Sequence, residues 1–252
     1  MAHVQSLRHG APAAALGSHA LFLDIDGTLL ELALTPDGVE VPASLVSMLQ
    51  RLSISLDGAI AFVSGRTIAA IDRLFNPLVL PAVGVHGSEI RTHGAALPAD
   101  ERLSTALQAV VPALQQAVGQ IRGVQLENKG SAVALHYRGA PERGRDVLQL
   151  AEKSVAHLGG EFGALLGKCV VEIRPRHLTK GTAIERLMTE APFRGRTPIF
   201  AGDDRTDEDA FEVVNRLGGI SVHIGDNAAS VAKYRLADPD ALRAWLQQLA
   251  DD

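Results

Sequence analysis

Along the first part of the chain, short apolar runs alternate with segments whose apolar positions recur every three or four residues. "ALFLD", "AIAFVS" and "AVGVH" have strand length, while "SLVSMLQRL" and "RTIAAIDRLF" between them have helical spacing. Strands apolar on both faces, separated by helices, predict a parallel sheet covered on both sides. The last third repeats this pattern. There "KGTAIERLMTEA" predicts a helix, "TPIFAG" a strand, "DEDAFEVVNRL" a helix, "GISVHIG" a strand and "ALRAWLQQLA" a closing helix.

The middle of the chain follows a different pattern. After the turn-rich "RTHGAALPAD", helical spacing covers residues 101–118, and Pro112 is expected to kink that helix or end it early. "GVQLENKG" and "SAVALHYR" read as a pair of strands, "GRDVLQLAEKSVAHL" as a helix and "GKCVVEIRP" as a further strand. Strand residues alternate between faces. Val133, Leu135, Val171, Ile173 and Cys169 therefore form apolar faces suited to packing under helices. Ala134, His136, Arg138 and Glu172, with Gln125, Glu127 and Lys129, form small, polar and charged ones. The expected fold class is α/β: a Rossmann-like, doubly wound parallel-sheet core at residues 1–98 and 177–252, with an inserted α+β unit at 99–176. Residues 1–17 read as a flexible leader.

Composition narrows the class of partner. No apolar run approaches the roughly 20 residues needed to span a bilayer. A formal net charge of −5 weighs against a dedicated nucleic-acid binder, which carries a basic excess. The one cysteine, Cys169, leaves no internal disulfide framework and suits a reducing cytoplasm. A cytoplasmic protein handling a small molecule is expected, without nucleic acid or membrane as partner and with a monomer as the expected state.

The chemistry gathers at the ends of the predicted strands, where open parallel sheets bind ligands. "LFLDIDGTLL" carries Asp24 and Asp26, two residues apart and so on one side of an extended chain. A turn explains Asp26-Gly27, but Asp24 lies within the apolar run, where an unpaired carboxylate is costly and a bound cation would relieve it. "PIFAGDDRTDEDAF" places Asp203 and Asp204 after another strand and Asp207 at the next helix start; helix capping accounts for Glu208 and Asp209. Few carboxylates with room for water and phosphate are the preference of Mg²⁺. "AFVSGRT" brings Ser64 and Arg66 to a turn before a helix N-terminus, a place suited to an anion. Lys180 opens a helix against the helix dipole, so a surface role explains it poorly. Acids, a hydroxyl and an ammonium at adjoining strand ends make a metal-assisted phosphate site.

"DIDGT", a serine at the second strand end, a lysine before "GDD" and the insertion together resemble the haloacid dehalogenase (HAD) superfamily of phosphatases. That resemblance implies Asp24 as nucleophile forming an aspartyl-phosphate, and Asp26 as general acid and base. It also implies Mg²⁺ held by Asp24, Asp203 and the Asp26 carbonyl, with Ser64 and Lys180 on the phosphoryl group. Arg66 would meet the substrate, and Asp204 and Asp207 would support the first ring of residues. "VGVHGSE", "ENKG", "ALHYR", "GKCVVEIRP", "TKGTA" and "VNRLGGISVHIG" narrow the likeness to the bacterial trehalose-6-phosphate phosphatases, from about residue 18 to 248. The implied substrate is trehalose 6-phosphate. The insertion would then be a C2-type cap whose Glu127, Lys129 and Glu172 bind the glucose units. The roles of His86 and His136 stay open at this point.

Overall fold

In the computed structural model, which describes residues 8–13, 16–32, 41–93, 95–97, 100–226 and 229–251, the apolar runs at His19–Leu23, Ile60–Val63 and Thr197–Gly202 lie side by side as strands. In chain order the elements begin with β1 (Arg8–His9), β2 (His19–Leu23), α1 (Ala43–Ser55), β3 (Ile60–Val63), α2 (Ile68–Phe75), β4 (Ala82–Gly84) and β5 (Glu89–Arg91). They continue through α3 (Glu101–Val118), β6 (Gln125–Asn128), β7 (Val133–His136), α4 (Gly144–Leu158), β8 (Phe162–Gly167) and β9 (Val170–Pro175). Last come α5 (Lys180–Met188), β10 (Thr197–Gly202), α6 (Glu208–Arg216), β11 (Ile220–Ile224), β12 (Tyr234–Leu236) and α7 (Pro239–Asp251). The chain divides into two compact units, Met1–Ala96 with Thr179–Asp252, and Leu97–Leu178.

The first unit is built on one sheet in the order β1-β12-β11-β10-β2-β3-β4-β5, parallel throughout except for antiparallel β5. From central β2 the chain proceeds outward to β3 and β4 on one side, while β10 and β11 flank it on the other. Such a reversal of strand order opens a crevice at the carboxyl ends of the strands. Register aligns Leu23 with Ala201 on one neighbour and with Phe62 on the other, so the residues after these strands emerge together. Both faces of the sheet are packed. Phe22 stacks on Phe193 at 5.2 Å, and Phe62 on Phe75 at 4.3 Å. Each such fully buried side chain contributes about 1.5–3 kcal/mol over an exposed one. Rigid strand ends are the consequence.

The second unit lays α3 and α4 against a four-stranded sheet in the order β6-β7-β9-β8. Leu103, Leu107, Val111 and Leu114 of α3 share a core with Val133, Leu135, Val171 and Ile173. The opposite face carries a row of Glu127, Ala134 and Glu172, paired across β6, β7 and β9.

Four details depart from the pattern read off the sequence. The leader expected over 1–17 is partly structured: β1 pairs with β12, and the Pro12 carbonyl accepts the Trp245 indole N–H at 3.1 Å. The strand "AVGVH" stops at Gly84, because Val85 and His86 take φ of 48° and 53°. Helix α3 runs through Pro112 without ending; burial of one face holds it although proline removes a backbone donor. A fourth inserted strand, β8, pairs with β9 through a turn in which Cys169 takes φ 59°. Gly163 and Gly167 weaken the strand signal of "FGALLG", which hides it from pattern reading. Among the described residues, no helix is long and apolar enough to cross a membrane.

Candidate active site

β2 ends at Leu23, and Asp24 is the next residue, only 4% exposed. Its backbone N–H donates to the Ala201 carbonyl at 3.0 Å, continuing the sheet pairing for one step. The chain then turns over Ile25, whose carbonyl accepts the N–H groups of Leu29 and Leu30 at 3.0 and 2.9 Å. Ile25 is fully buried, so it anchors the turn in the core. Gly27 sits in that turn with φ 85°, and a Cβ there would stand 2.2 Å from Asp203 Oδ2. Only glycine meets both demands without strain. Thr28, also fully buried, donates its hydroxyl to Asp24 Oδ2 at 3.0 Å and lies 3.4 Å from Asp203 Oδ1.

The second acidic group comes from the neighbouring strand. Asp203 follows β10, and Asp204 caps the single 3₁₀ turn Arg205–Asp207 by accepting the Arg205 N–H. Asp207 folds back: its Oδ2 accepts the backbone N–H groups of Asp203 and Asp204, each at 3.0 Å. Its Oδ1 accepts from Lys180 Nζ at 2.6 Å. Lys180, the first residue of α5, also donates to Asp24 Oδ1 at 2.8 Å. Thr179 and Thr182 cap that helix reciprocally, which holds the lysine backbone in place.

Charge in this buried group is unbalanced. Burial pushes the Asp24 carboxyl up to about 6, against the pull of Lys180 and with a further push from Asp207. Burial also raises Asp207, which Lys180 partly offsets. For Lys180 burial acts downward, but the Asp207 and Asp24 carboxylates outweigh it and keep the ammonium charged. Three carboxylates, Asp24, Asp203 and Asp207, offer oxygens within 4.8 Å of one another. One ammonium cannot neutralise them, and a divalent cation would. Both Asp207 oxygens are committed to Lys180 and to backbone donors. Asp207 thus accepts three hydrogen bonds, whereas Asp24 accepts two, from Lys180 and the Thr28 hydroxyl.

Asp26 faces Arg66, which donates Nε and an Nη to its two carboxylate oxygens at 2.7 and 2.6 Å. This two-point pair fixes both side chains. Ser64 follows β3, is 1% exposed, and its Oγ accepts the Arg66 N–H at 3.2 Å. The helix N-terminus beyond this turn, read from sequence as a place for an anion, meets a carboxyl side chain of the protein itself. Glu89 Oε2 accepts the Ile68 N–H at 2.7 Å, and the Thr67 hydroxyl accepts from Ala70 at 3.2 Å. Sequence spacing gave no sign of Glu89 in this role, because β5 delivers it from 21 positions away.

The remaining predicted residues lie in the second unit. Lys129 donates to Glu172 Oε1 at 2.7 Å in a nearly buried ion pair. Glu127 pairs with His136 at 2.8 Å, and this hydrogen bond lowers the Glu127 carboxyl below its ordinary range. Gln108 and Asn128 exchange amide hydrogen bonds at 3.1 and 2.6 Å, pinning the turn that carries Lys129.

Comparison with known proteins adds family context to this geometry. The family model for trehalose-phosphatase matches residues 22–240. A trehalose-6-phosphate phosphatase of Escherichia coli (strain K12) is 44% identical over 236 residues, covering 92% of this chain and 86% of the relative. A Sinorhizobium fredii protein bearing the name "Probable trehalose-phosphate phosphatase" is 46% identical over 242 residues, covering 93% and 89%. Among solved structures, a "trehalose-6-phosphate phosphatase related protein" superimposes with a TM-score of 0.75 at 26% identity, over 92% of this chain and 97% of that one.

Proposed function

The chain belongs to the trehalose-phosphatase family, and we propose that it hydrolyses trehalose 6-phosphate to trehalose and inorganic phosphate, the last step of trehalose biosynthesis. The observation that carries this reading is the buried Asp24 carboxylate, held between Lys180 and Thr28 beside Asp203 at the edge of the sheet. A carboxylate so oriented by two donors is a preorganised nucleophile.

In the proposed reaction an Asp24 oxygen attacks phosphorus, and the bond from phosphorus to the sugar oxygen breaks. Asp26 gives its proton to that leaving oxygen. In the second half Asp26 takes a proton from water, the water oxygen attacks phosphorus, and the acyl-phosphate bond to Asp24 breaks. Lys180 stays charged throughout and stabilises the phosphoryl oxygens, with the Ser64 hydroxyl as a further donor. Mg²⁺, held by the Asp24 and Asp203 carboxylates and the Asp26 carbonyl, would supply the charge that offsets an acid approaching a phosphate dianion. Asp207 orients Lys180, and Asp204 shapes the loop that bears Asp203. Arg66 pairs with both Asp26 oxygens in the free protein; once the substrate is present it would turn to the phosphoryl group and leave Asp26 to carry the proton that it gives to the leaving oxygen. In the inserted unit, Glu127, Lys129 and Glu172 offer charged hydrogen-bonding groups of the kind that recognise sugar hydroxyls.

A substrate panel tests the assignment. Phosphate release from trehalose 6-phosphate should exceed that from glucose 6-phosphate and sucrose 6-phosphate. Equal or faster turnover of either competitor would remove trehalose 6-phosphate as the substrate while leaving a phosphatase.

A further inference from the structure

The segment between β4 and β5 breaks rules that its own sequence should obey. Val85 and His86 take φ of 48° and 53° in succession. Such an angle is a genuine outlier for a β-branched residue, and strained backbone persists only where its surroundings over-determine it. Here those surroundings are the turn that carries Ser64 and Arg66. The Val85 N–H donates to the Arg66 carbonyl at 2.8 Å, and the His86 N–H donates to the Ser64 carbonyl at 3.0 Å. The His86 ring lies across Gly65, where a Cβ would stand 2.4 Å from Nε2. On its other side the segment abuts the second turn of the site. A Cβ on Gly87 would stand 2.3 Å from the carbonyl oxygen of Thr179, the N-cap residue directly before Lys180. One strained segment thus braces the backbone of both turns that aim Ser64, Arg66 and Lys180.

We propose that His86 is a positioning residue for phosphoryl transfer: its ring and backbone lock the Ser64–Gly65–Arg66 turn that aims the Ser64 hydroxyl and the Arg66 guanidinium, and the pairing of Arg66 with Asp26 reports the position of that turn. The imidazole acts by shape and by the backbone it fixes, filling the space that Gly65 leaves open. The proposal deepens the phosphatase reading and rests on it for its kinetic consequences, but the pairing of Arg66 with Asp26 can be observed without turnover.

The experiment compares the full-length protein with His86→Ala, His86→Asn, Gly65→Ala and the double variant Gly65→Ala/His86→Ala. In ¹⁵N-labelled wild type, the Arg66 Nε–H should be shifted and slow to exchange because it donates to Asp26. His86→Ala should lose that protection and lower kcat at least tenfold on both trehalose 6-phosphate and a small aryl phosphate, with KM changed less than twofold. His86→Asn, whose side chain tolerates the left-handed backbone, should recover part of both signals. The double variant should lose less than the product of the two single losses, because the new methyl occupies the vacated space. A folded His86→Ala that keeps the Arg66 signal, keeps kcat within twofold, or loses only KM for the sugar substrate overturns the proposal. If His86→Ala does not fold, wild-type Arg66 protection in Gly65→Ala overturns it instead. Should the wild type hydrolyse neither substrate, the phosphatase reading fails, and the Arg66 signal alone still decides the positioning.

Discussion

Lys180 Nζ lies 2.8 Å from Asp24 Oδ1 although 156 positions separate the two residues, and both side chains are buried. The same ammonium reaches Asp207 at 2.6 Å, so one cation holds two acids that would otherwise repel. Removing it leaves those charges unpaired. Lys180→Met should lower stability by about 3–5 kcal/mol, the usual cost of breaking a buried pair. It should also reduce kcat by about 100-fold or more, as loss of a preorganised electrostatic donor does. Urea unfolding and steady-state kinetics check the two effects separately; wild-type turnover in the variant would dismiss Lys180 as a catalytic group.

In the proposed mechanism Asp24 would link turnover, metal and pH. Its carboxyl sits at about 6 in the metal-free protein, above the ordinary 3.8, with burial as the main cause. The folded state therefore binds the proton more tightly than the unfolded state. Asp24 should thus contribute stability that is present near pH 4 and lost as pH rises through about 6, read as the difference between wild type and Asp24→Asn in the metal-free protein. The proton also competes with a cation, so Mg²⁺ affinity measured by calorimetry should weaken below pH 6. Asp24→Asn should flatten both trends, remain folded and show essentially no turnover. Near wild-type activity in Asp24→Asn would rule out the covalent route.

Gly27 offers a test of the proposed metal site without touching a charge. Gly27→Ala meets a positive φ of 85° and places a methyl carbon 2.2 Å from Asp203 Oδ2. Asp203 must move, so Mg²⁺ affinity should fall at least tenfold and activity with it. Unchanged affinity would show that Asp203 does not hold the cation.

The sugar contact proposed for Glu172 can be separated from the chemistry by experiment. Glu172→Gln keeps the shape but removes the charge that pairs with Lys129. Turnover of trehalose 6-phosphate should fall at least tenfold more than hydrolysis of a small aryl phosphate. Equal losses on both substrates would assign Glu172 to the fold of the inserted sheet.

The legible parts of the site are those encoded by position along a strand. Asp24, Asp203 and Ser64 each follow an apolar run, and parallel neighbours in register bring such endings to one edge. Lys180 was legible because a lysine at a helix start opposes the dipole and needs a compensating partner. Thr28 stood in the same short motif as the two acids. The inserted faces of "SAVALHYR" and "KCVVEIR" were legible from an uneven two-residue alternation, and Val133, Leu135, Val171 and Ile173 do form the buried side.

Other features depend on contacts between distant segments. Glu89 reaches the start of α2 across 21 positions, and Arg66 reaches Asp26 across 40. Neither pairing follows from local spacing, because each depends on how β3, β4 and β5 lie beside β2. Val85 and His86 go further, since their backbone angles contradict local propensity and exist only because the Ser64 turn holds them. Local pattern thus determined the sheet, the acids at its edge and the kind of chemistry they carry, because periodicity and strand ends are properties of neighbouring residues. Which acid pairs with which base, which carboxyl is shifted by burial and where the backbone is strained were decided by tertiary packing alone, because burial and through-space charge set those balances.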